Sequence, residues 1–195
     1  RGIDTAKAEA LKGVKAVITS ADILDQPSVY AGPARVQQNL AHITRNVMAR
    51  EKALYEGHAV AAVAATSTAI ANEALKLIEV DYEVLPHVID VVDAMAPDAP
   101  LLNEEQFTKG IDPAPDKPSN IAARMVAKLG DVEAGFQAAY LVIEREFNTK
   151  AAHQGYIEPH ASIGNYTEGG NAEVFTSTQG HYMNRAQTAK VLGME

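Results

Sequence analysis

Six of the nine prolines sit between Pro86 and Pro118, at Pro86, Pro97, Pro100, Pro113, Pro115 and Pro118. Proline fixes φ and has no amide hydrogen to give to a helix or a ladder. Regular periodicity is therefore expected to fail from about residue 86 to 125, leaving a connecting segment that runs over a surface, with strand-like VIDVV at its start. A connector of this length is uncommon inside one compact domain. It predicts a division into an α/β domain over 1–90, a proline-rich connector over 91–125, and an incomplete second domain over 126–195.

Before the connector the pattern alternates between helix and strand. DTAKAEALKG reads as a short helix stopped by Gly13, and VKAVIT as a strand. Pro27, Gly32 and Pro33 predict loop. ALYEGHAVAAVAAT reads as two strands turning at Gly57, and Thr66 or Ser67 can cap the helix STAIANEALKL. In LIEVDYEVL, Ile78, Val80, Tyr82 and Val84 alternate with Glu79, Asp81 and Glu83. That is the mark of a half-buried strand, with the carboxylates on its solvent side. These elements are expected to surround one sheet.

After the connector, Asp131 is placed to cap the helix GDVEAGFQAA. AYLVIEREFNT predicts a long strand. YIEPHASIGNY and AEVFTST predict two more, joined by TEGGN, where Gly169, Gly170 and Asn171 suit a tight turn. The last strand runs to Gln179 and Gly180 and passes into the helix HYMNRAQTAKVLG, with Gly193 as its stop. The fold class expected is α+β.

Composition excludes several functions. The net charge is −8, from 25 acidic against 17 basic residues, the opposite of a nucleic-acid binder's footprint. The longest apolar run, Ala59 to Ala65, is far short of the ~18 residues of a membrane span. No cysteine is present, so this chain offers no disulfide, thiolate zinc site or cysteine-bound cluster. A reducing cytoplasm suits such a chain. No signal peptide is visible, and both ends read as cut from something longer. There is no G-x-G-x-x-G, Walker A, G-x-S-x-G or H-E-x-x-H motif.

Three groups of residues could carry chemistry. His153, Glu158, His160 and His181 offer imidazole and carboxylate, but at no compact ligand spacing. They read better as ordinary histidines and a carboxylate fixed by a structural hydrogen bond. The row Glu79, Asp81, Glu83 needs no function beyond solvation. Gln179 is different. Glutamine is not a usual turn residue, and this one stands where a strand gives way to a helix whose first N–H groups are unpaired. Its amide could donate to an oxyanion or a metal-oxo group, or simply bond a neighbouring loop. Arg185, further along, reads as a surface or interface charge.

Six segments occur in a familiar order: LKGVKAVITSADI, ALYEGHAVAAVAA, ANEALKLIEVDYEVLPHVID, LGDVEAGFQAAYLVIEREF, HQGYIEPHASIG and FTSTQGHYMNRAQTAKVLGM. Together they resemble the molybdenum-binding large subunit of the xanthine dehydrogenase, aldehyde oxidase and aerobic carbon monoxide dehydrogenase family. The resemblance implies a small hammerhead-type α/β domain followed by the start of a molybdopterin-binding α+β domain. The family's STQ motif falls on Ser177, Thr178 and Gln179. Gln179 is then the amide that hydrogen-bonds an oxo ligand of molybdenum, and Gly180 lets the backbone approach the cofactor.

The chemistry implied is oxidative hydroxylation of a small carbon substrate (an aldehyde, a purine or other N-heterocycle, or carbon monoxide) with oxygen taken from water. The cofactor implied is molybdenum-molybdopterin, in its cytosine dinucleotide form. Electrons would leave through iron–sulfur clusters to FAD on partner subunits or domains, in an oligomer when complete. The family's general-base glutamate lies later in the subunit, so the piece alone is expected to be inactive. A different class of reading is a non-catalytic interaction or assembly module that reuses the hammerhead fold.

Overall fold

The computed structural model describes residues 1–31 and 38–194. The loop expected around Gly32 and Pro33 lies outside the described residues. Two compact units emerge, and they do not follow chain order. The first joins 1–85 with 161–195, and the second is 86–160.

In the first unit, β1 (Gly2–Asp4) pairs antiparallel with β6 (Glu79–Asp81), and β2 (Val14–Thr19) with β5 (Ala61–Ala65). In the second of these pairs Val17 stands opposite Val63 and Ile18 opposite Ala62. Two short helices, α1 (Ala6–Glu9) and α3 (Thr68–Leu75), pack together. Each contributes a fully covered alanine, Ala8 and Ala74, and side chains this small let two helix backbones come close. Ser67 caps α3 by accepting from the Ile70 N–H at 3.3 Å. The short pair β3 (Tyr30–Ala31) and β4 (Gln38–Asn39) leads into α2 (Leu40–Val47). Asn39 caps α2, and Leu40, Ala41 and Thr44 are buried along it. The Thr44 hydroxyl stays satisfied by donating back to the carbonyls of Leu40 and Ala41.

The closing segment of this unit is a hairpin and a helix. β7 (Ser162–Tyr166) pairs with β8 (Ala172–Thr176), and Gly170 alone of the three expected turn residues takes positive φ, at 82°. Then α6 (His181–Leu192) packs against α2. Gly193 ends α6 in the left-handed conformation, as its sequence position predicts. The Gln26 side chain donates to the Lys190 carbonyl, tying the helix end to the loop after β2.

In the second unit Asp90 caps α4 (Val91–Ala94), accepting from Val92 and Asp93 N–H groups at 2.8 and 3.2 Å. The proline-rich stretch is stapled by Asn120, which donates to the carbonyls of Ala94 and Pro100 and accepts from the Leu102 N–H. Asp131 caps α5 (Val132–Ala138), as expected.

Several expectations are corrected. Among the described residues the strands form separate two-stranded pairings, not one sheet, because each short strand meets a single partner. VIDVV is not a strand; its Asp90 caps a helical turn. The long strand over 139–149 does not form. Among the described residues no segment takes its N–H and C=O groups, and a strand exists only where a ladder does. The strand over 156–166 begins only at Ser162, past Pro159, which has no N–H to give. The first of the two strands expected around Gly57 is also absent: the Leu54 N–H goes to the His58 ring instead of a ladder. The first helix ends at Glu9, short of Gly13.

Candidate functional site

The most chemically pointed place in the chain is the elbow from β8 to α6. β8 stops at Thr176 and α6 starts at His181, leaving Ser177, Thr178, Gln179 and Gly180 to make the turn. Thr178 organises it. Its Oγ1 accepts the Gly180 N–H at 3.1 Å and also accepts an N–H from the Asn184 side chain, one turn into the helix. Upstream, the Ser162 hydroxyl donates to Thr176 Oγ1 at 2.7 Å across the hairpin.

Gln179 sits between these contacts. It is exposed, and among the described residues its amide has no hydrogen-bond partner. The alternative role of bonding a neighbouring loop is not seen among the described residues. Gly180 is the N-cap of α6, and no side chain caps the helix. Its φ of −142° lies outside the left-handed region that favours glycine, and a Cβ there would meet only Met183 at an ordinary 3.6 Å. Among the described residues, neither the chain's own backbone nor its packing demands glycine at this point. An amide without a partner, a helix start without a side-chain cap and a glycine Cα thus follow one another at this turn. The donors suit a group that presents acceptor oxygens.

The other candidates form no metal-holding group among the described residues. His153, Tyr156 and His160 touch through their rings, with the Tyr156 hydroxyl 2.7 Å from His160 Nε2. The His153 Nδ1 accepts the Gly155 N–H. Glu158 is exposed, and His181 lies against the Tyr182 ring. Among the described residues no group of three or more His, Asp or Glu side chains could hold a metal ion. Arg185 is exposed. In the carboxylate row, Glu79 bonds Lys7 and Glu83 bonds Arg1, both at the surface. The hydrogen bond that the Lys7 ammonium donates to the Glu79 carboxylate raises the Lys7 pKa. Ile78 and Val80 are half-buried as alternation predicts, but Tyr82 and Val84 are 61% and 84% exposed because β6 ends at Asp81.

Sequence reasoning named Thr178 only as a member of the STQ motif, with no role of its own, and did not single out Asn184. The T-x-G spacing is a local signal for a threonine that bonds two residues ahead. The reach from Asn184 back to Thr178 has no such signature.

Residues 1–86 match the family model of the aldehyde oxidase and xanthine dehydrogenase a/b hammerhead domain. Residues 114–195 match that of the molybdopterin cofactor-binding domain. The chain is 34% identical, over 99% of its length, to the "Probable hypoxanthine oxidase XdhD" of Escherichia coli, covering 22% of that protein. It is 36% identical, over 81% of its length, to the carbon monoxide dehydrogenase large chain of Afipia carboxidovorans, covering 19% of it. Among solved structures, all of this chain superposes on 24% of a chain of the carbon monoxide dehydrogenase from Oligotropha carboxidovorans, with a TM-score of 0.73 and 27% identity. The aldehyde oxidoreductase from Desulfovibrio gigas shares the fold over 20% of its chain, at a TM-score of 0.78 and 22% identity. This chain belongs to the xanthine dehydrogenase, aldehyde oxidase and carbon monoxide dehydrogenase family, as a hammerhead domain followed by the start of a molybdopterin-binding domain. It spans about a fifth of the length of these two curated relatives.

Proposed function

We propose that this chain is part of the catalytic large subunit of a molybdenum hydroxylase, divided as residues 1–90, 91–125 and 126–195. The reaction is the oxidative hydroxylation of a small carbon substrate (an aldehyde, a purine or other N-heterocycle, or carbon monoxide) with oxygen from water. When bound, the molybdenum–pterin group supplies the two-electron oxidation and the oxygen that ends on the substrate. This chain's share is to hold and orient that group. Gln179 would help hold the group by donating an amide N–H to it, and its fixed dipole would steady negative charge there. Gly180, without a Cβ, leaves room for the cofactor beside the uncapped start of α6. The family supports a cytosine dinucleotide form of the pterin, iron–sulfur and FAD partners, an oligomer, and the cytoplasm. That some relatives are named as a large chain or a complex subunit fits such partners. No helix among the described residues is long and apolar enough to cross a membrane.

The observation that carries this reading is the exposed, unpartnered amide of Gln179 at the elbow of a chain in this family. In the full-length, cofactor-loaded subunit, Gln179→Ala is expected to slow reduction by substrate by about 10²-fold, the scale of losing one positioned donor. Thermal unfolding should stay near wild type. Stopped-flow reduction at an unchanged rate would remove the role given to Gln179.

A further inference from the structure

We infer that Thr178 and Asn184 are positioning residues, which lock the elbow so that Gln179 is presented outward in one direction. The inference rests on the reading of Gln179 above and extends it to the residues whose hydrogen bonds hold the turn.

The bond from the Gly180 N–H to Thr178 Oγ1 closes a small ring of atoms. Both backbone torsions of Gln179 lie inside that ring. Fixing them fixes the direction of its Cα–Cβ bond, and hence the cone its amide can sweep. The second bond, from the Asn184 side chain to the same oxygen, ties the ring to the first turn of α6. The Asn184 backbone N–H meanwhile donates to the Gly180 carbonyl at 2.9 Å, so the tether runs to an ordered turn. α6 in turn packs on α2, whose buried face is part of the core. The elbow is therefore referenced to the body of its unit.

This arrangement is not ordinary helix capping. A cap side chain bonds the N2 or N3 amide of its helix. Thr178 instead bonds the N–H of the N-cap residue and a side chain, leaving α6 without a side-chain cap. What the two bonds determine is the shape of the turn around Gln179.

The test uses the full-length, cofactor-loaded enzyme with its electron-transfer partners. Thr178→Val keeps the shape and removes both accepted bonds; Asn184→Ala removes one; Thr178→Ser keeps both. Molybdenum content, the electron paramagnetic resonance of the part-reduced metal, and the rate of reduction by substrate are compared with Gln179→Ala. Thr178→Val and Asn184→Ala are expected to keep molybdenum content within about twofold and to slow reduction about 10-fold, as a displaced positioning group does. Their resonance should move toward that of Gln179→Ala, and Thr178→Ser should restore the wild-type spectrum. Combined with Gln179→Ala, neither should add a further loss, since coupled residues are not additive.

Wild-type spectra in both variants, beside an altered Gln179→Ala, would overturn the clamp and leave the role of Gln179 standing. Full additivity with Gln179→Ala would also overturn it. An unaltered Gln179→Ala would remove both proposals together. Should Thr178→Val fail to fold, Asn184→Ala decides the matter.

Discussion

At the scale of single residues, backbone geometry explains choices that side-chain chemistry does not. Gly110 has φ of 76°, and a Cβ there would lie 2.1 Å from the Arg124 carbonyl oxygen. That close approach is needed because the Lys109 N–H donates to the Ala122 carbonyl and the Arg124 N–H donates to the Lys109 carbonyl. Gly110→Ala is therefore expected to open this bridge and cost at least about 2 kcal/mol locally. Faster hydrogen exchange at the Lys109 and Arg124 amides would register it. Gly180 makes the opposite case, since its conformation and its neighbours would accept alanine. Gly180→Ala should cost under about 1 kcal/mol in folding, the difference between glycine and alanine at an N-cap. In the full-length subunit it should still lower molybdenum content, measured by elemental analysis.

At the scale of elements, His58 shows how one ring can replace a strand. The ring is 7% exposed and stacks on Tyr55 at 4.6 Å. Its Nδ1 accepts the Leu54 N–H at 3.1 Å, which leaves Nε2–H to donate to the Arg45 carbonyl at 2.8 Å. The residues around Gly57 are thus folded onto the end of α2 instead of pairing as a strand. Alternation could predict apolar character there, but not that a histidine would take the ladder's donor. His58→Ala is expected to destabilise by about 2–3 kcal/mol, because two polar groups lose their buried partner. Urea denaturation would measure it, with an unchanged midpoint counting against this account.

At the scale of the whole molecule, covered apolar side chains are few. Among the described residues, Ala8, Leu40, Ala41, Met48, Ala49 and Ala74 are buried, and all belong to the first unit. In the second unit Leu129, Tyr140, Leu141, Ile143, Phe147 and Ile157 are largely exposed. Apolar surface on this scale favours association with other apolar surface. The expected consequence is that the chain expressed by itself binds a hydrophobic dye and associates at about micromolar concentration. A monomeric, dye-silent chain in light scattering and fluorescence would show that the surface is covered in some other way.

The sequence by itself determined the local signals: a cap at Thr66 or Ser67, of which the structure uses Ser67, the cap at Asp131, the stop at Gly193, the loops of the proline-rich stretch and the order of segments that marks the family. Each depends on a few neighbouring residues, whose torsions and donors are set within one turn. Only the tertiary structure decided which apolar runs became strands. AYLVIEREFNT and AEVFTST look equally strand-like, yet among the described residues only the second has a strand partner, because pairing depends on what lies across the ladder. Tertiary contact likewise brought α6 onto α2 across the sequence between them, and the folded elbow set Asn184 against Thr178, a reach no local pattern encodes.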